Sequence, residues 1–183
     1  MTMSSAIVNA ANEGCLGGGG VDGAITLAGG PRLRADRKAL PIVEPGIRCK
    51  TGSAVITGPN SYGELHTSHV IHAVGPNYAH CENLNKGDEL LSSAYSSSLA
   101  CAESARIEAV AFSLLSAGVF RGPRSVREVL RIGMYAICNF DGYAELKEVH
   151  LCAFNDTEID ALLDIADELG LRSVGTAGIC DVL

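Results

Sequence analysis

Four consecutive glycines, Gly17-Gly18-Gly19-Gly20, stand between a short apolar strand and a helix. Glycine adopts positive φ freely and leaves its backbone N–H groups uncovered. With a helix N-terminus directly after, such a run forms an anion cradle suited to a phosphate or diphosphate. The plain alternative is a flexible loop with no ligand. The chain holds 21 Gly in 183 residues, above the usual ~7%, and the surplus is concentrated here. A Walker A loop needs Gly-Lys-Ser/Thr after the glycines, and Val21-Asp22 stand there instead. The spacing G-x-G-x-x-G is present at Gly18, Gly20 and Gly23, with Glu44 downstream. In a Rossmann turn, however, the glycines follow the strand at once, and here residues 9–16 intervene.

At 47% hydrophobic and 19% charged residues, the chain has the composition of one folded domain. Apolar runs predict strands at 5–8, 54–57, 69–74, 110–115 and 149–154. Periodic spacing predicts helices at 21–28, 32–40, 88–105, 126–138 and 159–169. Thr157-x-x-Asp160 reads as a cap for the last of these. The alternation predicts a three-layer α/β/α sandwich with a mixed, largely parallel central sheet. A domain over 1–172 and a tail over 173–183 are expected.

The net charge of −7 and an aromatic content of 5% without Trp argue against non-specific nucleic-acid binding. The N-terminus lacks the pattern of a signal peptide, and no apolar run is long enough to cross a membrane. Seven Cys without a C-x-x-C pair do not form a secreted disulfide framework; an intracellular location is expected. Cys101, Cys138 and Cys152 lie in apolar periodic runs and read as small core residues. His66, His69, His72, His80 and Cys81 invite a metal reading, but His69 and His72 point to opposite faces of one strand. No metal and no cofactor is expected.

Asn9 and Asn12 flank two alanines at the carboxyl end of a strand, where open α/β sheets bind ligands. Their amides suit ribose hydroxyls, and Asp22 is a candidate base or hydroxyl acceptor. Singly, each also reads as a turn or helix-start residue. Together, the segment Ile7-Val8-Asn9-Ala10-Ala11-Asn12 and the segment Leu16-Gly17-Gly18-Gly19-Gly20-Val21-Asp22-Gly23-Ala24-Ile25 closely resemble the macro domain family, in its MacroD-like branch. Downstream, Cys49-Lys50-Thr51-Gly52-Ser53-Ala54-Val55-Ile56-Thr57, Val70-Ile71-His72-Ala73-Val74-Gly75-Pro76 and Ser113-Leu114-Leu115-Ser116-Ala117-Gly118-Val119-Phe120 resemble later parts of the same family in order.

The resemblance implies a domain that binds ADP-ribose or an ADP-ribosylated protein; a monomer is expected. It implies hydrolysis of mono-ADP-ribose from acidic side chains, or deacetylation of O-acetyl-ADP-ribose. Asn9 and Asn12 would line the distal ribose, and Asp22 would position or activate the attacking water. Gly18, Gly19, Gly20 and Val21 would wrap one side of the diphosphate. Ser116, Ala117, Gly118, Val119 and Phe120 would supply N–H groups on the other side, with Phe120 against the distal ribose. Phe154 and Asn155 would form the adenine edge. A non-catalytic ADP-ribose reader is the alternative function. Two departures stand out. The family's Gly-Asp-Ile-Thr first strand has no counterpart before residue 5, and Arg121-Gly122-Pro123 replaces Gly-Tyr-Pro or Gly-Phe-Pro. Paired glutamates of the glycohydrolase type are absent after Gly20, and of the zinc-dependent type's loop residues only Cys15 is present.

Overall fold

The computed structural model describes residues 3–171. The chain order is β1 (Ser5–Ala10), α1 (Gly20–Ala28), α2 (Gly30–Ala39), β2 (Ala54–Thr57), β3 (His69–Ala73), α3 (Leu84–Ser104), β4 (Ala109–Ser113), α4 (Val126–Cys138), β5 (Glu148–Cys152) and α5 (Asp156–Glu168). Short 3-10 turns lie at Tyr78–His80 and Val119–Arg121. Among the described residues the sheet has the order β2-β3-β1-β4-β5, with β2 antiparallel to β3 and the other pairs parallel. This is the mixed, largely parallel sheet that the alternation predicts.

Alternate side chains of each strand divide between the two faces. Ala6, Val8, Ile71, Val110 and Phe112 face Leu91, Tyr95, Leu99, Leu130 and Ile165 of α3, α4 and α5. Ile7 and Val70 face Ile25 and Leu33 of α1 and α2, together with Tyr62. The molecule is therefore a three-layer sandwich. Central strands with cover on both faces read as unbroken apolar runs, which is why they were legible in the sequence. None of the described helices is long and apolar enough to cross a membrane.

Most boundaries differ from the sequence reading by one to four residues, and three of them show why. β1 continues to Ala10 because Asn9 and Ala10 still pair with His72 and Ala73 of β3. α3 begins at Leu84, before the expected 88, because the Asn83 side chain accepts the N–H groups of Asn85 and Lys86. α5 begins at Asp156, capped by Asn155 accepting from the Glu158 N–H, so the expected Thr157–Asp160 cap is not used. The cysteines are also placed differently: Cys138 is exposed and Cys101 and Cys152 are half-buried, whereas Cys15 and Cys49 are buried. The expected boundary at 172/173 lies outside the described residues.

Candidate functional site

β1 and β4 are neighbours, yet β1 leads to α1 on one face and β4 leads to α4 on the other. Strand order reverses here, and the carboxyl ends of strands at such a point are where open α/β sheets take ligands. The loop 11–19 forms one bank and the loop 114–125 forms the other.

The first bank ends in α1, whose N-cap Gly19 provides no side-chain cap. The first N–H groups of a helix have no acceptor within it, so here they stay available. Gly17 and Gly20 take positive φ, at 116° and 58°. A Cβ on Gly19 or Gly20 would meet nothing within 4 Å; both border open space. Gly18 is different. A Cβ there would sit 3.1 Å from Asp22 Oδ2 and 3.2 Å from Asn12 Nδ2. The loop is fastened by Asn12 Nδ2 donating to the Gly17 carbonyl at 2.9 Å. Glu13 Oε1 also accepts from the Thr51 N–H at 3.0 Å and from its hydroxyl at 2.9 Å.

Beneath the glycines lies a buried polar network. Asp22 Oδ1 is 2.7 Å from Arg37 Nη1 and accepts from Asn9 Nδ2 at 2.9 Å. The second hydrogen of that amide points to His72 Nδ1 at 3.2 Å. Nδ1 must then accept, which places the ring proton on Nε2, 3.0 Å from Thr57 Oγ1; the Thr57 hydroxyl donates on to the Val70 carbonyl at 3.3 Å. Burial, reinforced by the charge of Arg37, pushes His72 down to about 3 and keeps it neutral. Arg37 also donates to the Cys15 carbonyl and to Thr26 Oγ1. Two acceptors in this network, Asn9 Oδ1 and Asp22 Oδ2, are buried with no protein partner. The thiols of Cys15 and Cys49 interact nearby; the Cys49 hydrogen bond lowers Cys15 and raises Cys49.

On the second bank, Ser116 takes positive φ (55°) and turns its hydroxyl inward to donate to the Pro76 carbonyl at 2.8 Å. Ser116 and Ala117 are buried, Gly118 and Val119 exposed, and Phe120 half-buried. Two contacts hold this loop. The Leu115 N–H donates to Tyr95 Oη at 3.0 Å. Gly122, at φ 56°, lies so close to the Tyr78–Ala79 backbone that a Cβ would be 2.5 Å from Ala79 N. Arg124 joins in, pairing with Asp88, which also accepts from the Tyr78 hydroxyl at 2.8 Å.

The structure thus brings Asn9, Asn12, Gly18 and Asp22 together under one loop, while 116–120 follow β4, the neighbouring strand of β1. Phe154 and Asn155 lie beyond the end of β5; Phe154 is 95% exposed, and the Asn155 oxygen is engaged as the α5 cap. Sequence reasoning missed Arg37, His72, Thr26 and Thr57. The available signal was the spacing of Leu33 and Arg37, four apart on a helix, which puts both on the buried face.

Known proteins share this fold. The profile of the Macro domain family matches residues 8–130. A macro domain-containing protein of Caldanaerobacter subterraneus subsp. tengcongensis is 40% identical over 164 residues, covering 90% of this chain and 89% of that protein. An O-acetyl-ADP-ribose deacetylase 1 of Pantoea vagans is 36% identical over 162 residues, covering 88% of this chain and 90% of that protein. The Oceanobacillus iheyensis macrodomain with ADP superposes with a TM-score of 0.77 at 30% identity, over 91% of this chain and 84% of that chain.

Proposed function

This chain belongs to the macro domain family, and from that premise we propose that it binds ADP-ribose at the carboxyl ends of β1 and β4 and hydrolyses its ester. The ester carbonyl belongs either to an acidic side chain of a protein or to an O-acetyl group. The observation that carries the reading is the pair of buried, unpartnered acceptors, Asn9 Oδ1 and Asp22 Oδ2, beside an uncapped helix N-terminus. Such acceptors call for hydroxyl or water donors, and such a terminus calls for an anion; a ribose carrying a diphosphate supplies both. The relatives named above, one called a deacetylase and one solved with ADP, support it.

In this reading the N–H groups of Gly18, Gly19, Gly20 and Val21 hold one side of the diphosphate. Those of Ser116, Ala117, Gly118, Val119 and Phe120 hold the other. Asn12 and Asn9 orient the distal ribose, and Asp22 Oδ2 accepts a hydrogen bond from the attacking water. On an acidic side chain the water attacks the distal-ribose anomeric carbon and the bond to the carboxylate breaks; on an O-acetyl group it adds to the carbonyl and the bond to the ribose oxygen breaks. In each case the departing oxygen ends with a proton from the water, leaving a free carboxylic acid and ADP-ribose with its hydroxyl restored. Phe154 and Asn155 take the adenine side.

A second reading, recognition without turnover, is favoured by the closure of Asp22, which is 3% exposed and covered by Gly18. One experiment separates the two: release of ADP-ribose from a protein modified on Asp or Glu, and of acetate from O-acetyl-ADP-ribose. Hydrolysis predicts release by the wild type and about a 100-fold lower kcat for Asp22→Asn. Equal rates for the two proteins overturn the role of Asp22; tight binding with no release by the wild type establishes the reader.

A further inference from the structure

Arg37 lies on α2, outside both banks, and its side chain is 1% exposed. Burying a guanidinium is costly unless its charge and its donors are met. A buried pair built for stability alone would be expected to engage the carboxylate side by side, two N–H groups on two oxygens. This pair does not. Nη1 meets Oδ1 only, at 2.7 Å, while Arg37 Nη2 and Asp22 Oδ2 are both buried without a partner. Leaving two such groups unmet costs stability and asks for a reason.

The rest of the network supplies one. Oδ1 is crowded by Arg37 Nη1, by Asn9 Nδ2 at 2.9 Å and by the Thr26 hydroxyl at 3.4 Å. These contacts fix the rotation of the carboxylate and leave Oδ2 alone to face Gly18 and Asn12. The same guanidinium donates through Nε to the Cys15 carbonyl, two residues before the glycines. It donates through Nη1 to Thr26 Oγ1 at 2.6 Å, and that hydroxyl donates to the Asp22 carbonyl at 2.6 Å. One planar group therefore sets the glycine loop, the first turn of α1 and the carboxylate in a single register.

We propose that Arg37 is a positioning residue of the site, orienting Asp22 so that Oδ2 is its working oxygen and tying that orientation to the glycine loop. The proposal rests on the ADP-ribose hydrolase reading above. Lysine would not replace it, because an ammonium on a flexible stem lacks the fork that reaches three acceptors.

The test compares the wild type, Arg37→Met, Arg37→Lys, Asp22→Asn and the double variant Asp22→Asn/Arg37→Met. Each is measured by steady-state kinetics, by calorimetry with ADP-ribose and by thermal melting. Arg37→Met should lower kcat about 100-fold with KM within about threefold, and Arg37→Lys should recover only part of that loss. In the Asp22→Asn background, adding Arg37→Met should change kcat by less than about twofold, because coupled residues are not additive. Equal fold-losses in both backgrounds overturn the proposal. So does a lower melting temperature with unchanged kcat, the mark of a merely structural pair. Should Arg37→Met fail to fold, Arg37→Lys and the charge-neutral double variant carry the comparison.

A wild type that binds ADP-ribose without turnover refutes the hydrolase reading but not the positioning role, which is then read from affinity. Arg37→Met should weaken ADP-ribose about threefold only where Asp22 is present; the same weakening without Asp22 overturns it. A wild type that gives no binding heat removes the reading and the proposal together.

Discussion

His72 shows how far burial decides a residue's chemistry. In the sequence it is one of five histidines; in the fold it is fully buried, with both ring nitrogens bonded between Asn9 and Thr57. The folded chain keeps it neutral down to about pH 3, against an ordinary value of 6.5. Between those values the unfolded chain binds more protons than the folded one. The stabilisation linked to His72 is therefore complete above pH 6.5 and is lost as pH falls toward 3, with a slope of up to about 1.4 kcal/mol per pH unit. Urea unfolding from pH 7 to pH 4 should show this slope in the wild type and a shallower one in His72→Gln. Parallel curves would mean that the ring does not stay neutral. A single residue also explains why a pattern of glycines was informative without being uniform in meaning. Gly17 and Gly20 serve by conformation, whereas Gly18 serves by leaving room above Asp22 and Asn12.

At the scale of elements, the two banks are held by different means. The first is stitched by side chains of its own loop and of α2; the second is hung from α3 and from the turn at Tyr78–His80. Tyr95 is the link between core and loop. Its ring stacks on Phe112 with centroids 5.2 Å apart, and its hydroxyl takes the buried Leu115 N–H. Tyr95→Phe keeps the packing but leaves that N–H unmet, so it should cost about 1–3 kcal/mol in denaturant unfolding. A loss within error would show that the loop start finds another acceptor. Most elements were legible because apolar runs and helical spacing report burial directly, as in β4 and α4. Ends were less legible because they depend on partners. Asn9 stays in β1 only because β3 lies beside it, and α5 starts where Asn155, not Thr157, closes the first turn. The site followed the same rule. Asn9, Asn12, the glycines and Asp22 announce themselves by type and order. Arg37, His72 and Thr57 act through contacts between separate elements, and residue type alone does not reveal them.

For the whole molecule, the topology places the chemistry. β1 sits at the centre of the sheet, and the chain leaves it and β4 toward opposite faces. The loops after β1 and β4 thereby become neighbours, and in the proposed reading their backbone N–H groups, rather than a cluster of Lys or Arg, serve an anionic ligand in a chain of net charge −7. The central claim is that the glycine bank and the carboxylate beneath it form one ADP-ribose site. Titration calorimetry of the wild type and Gly18→Ala with ADP-ribose tests this most directly. Gly18 is exposed and has ordinary φ, so alanine should leave the melting temperature near that of the wild type. Its methyl group, set 3.1 Å from Asp22 Oδ2 and 3.2 Å from Asn12 Nδ2 and so closer than ordinary contact, should push both side chains by a few tenths of an ångström and weaken ADP-ribose by about tenfold or more, equivalent to about 1.4 kcal/mol. Undiminished affinity in Gly18→Ala, or no binding by the wild type, would contradict the account.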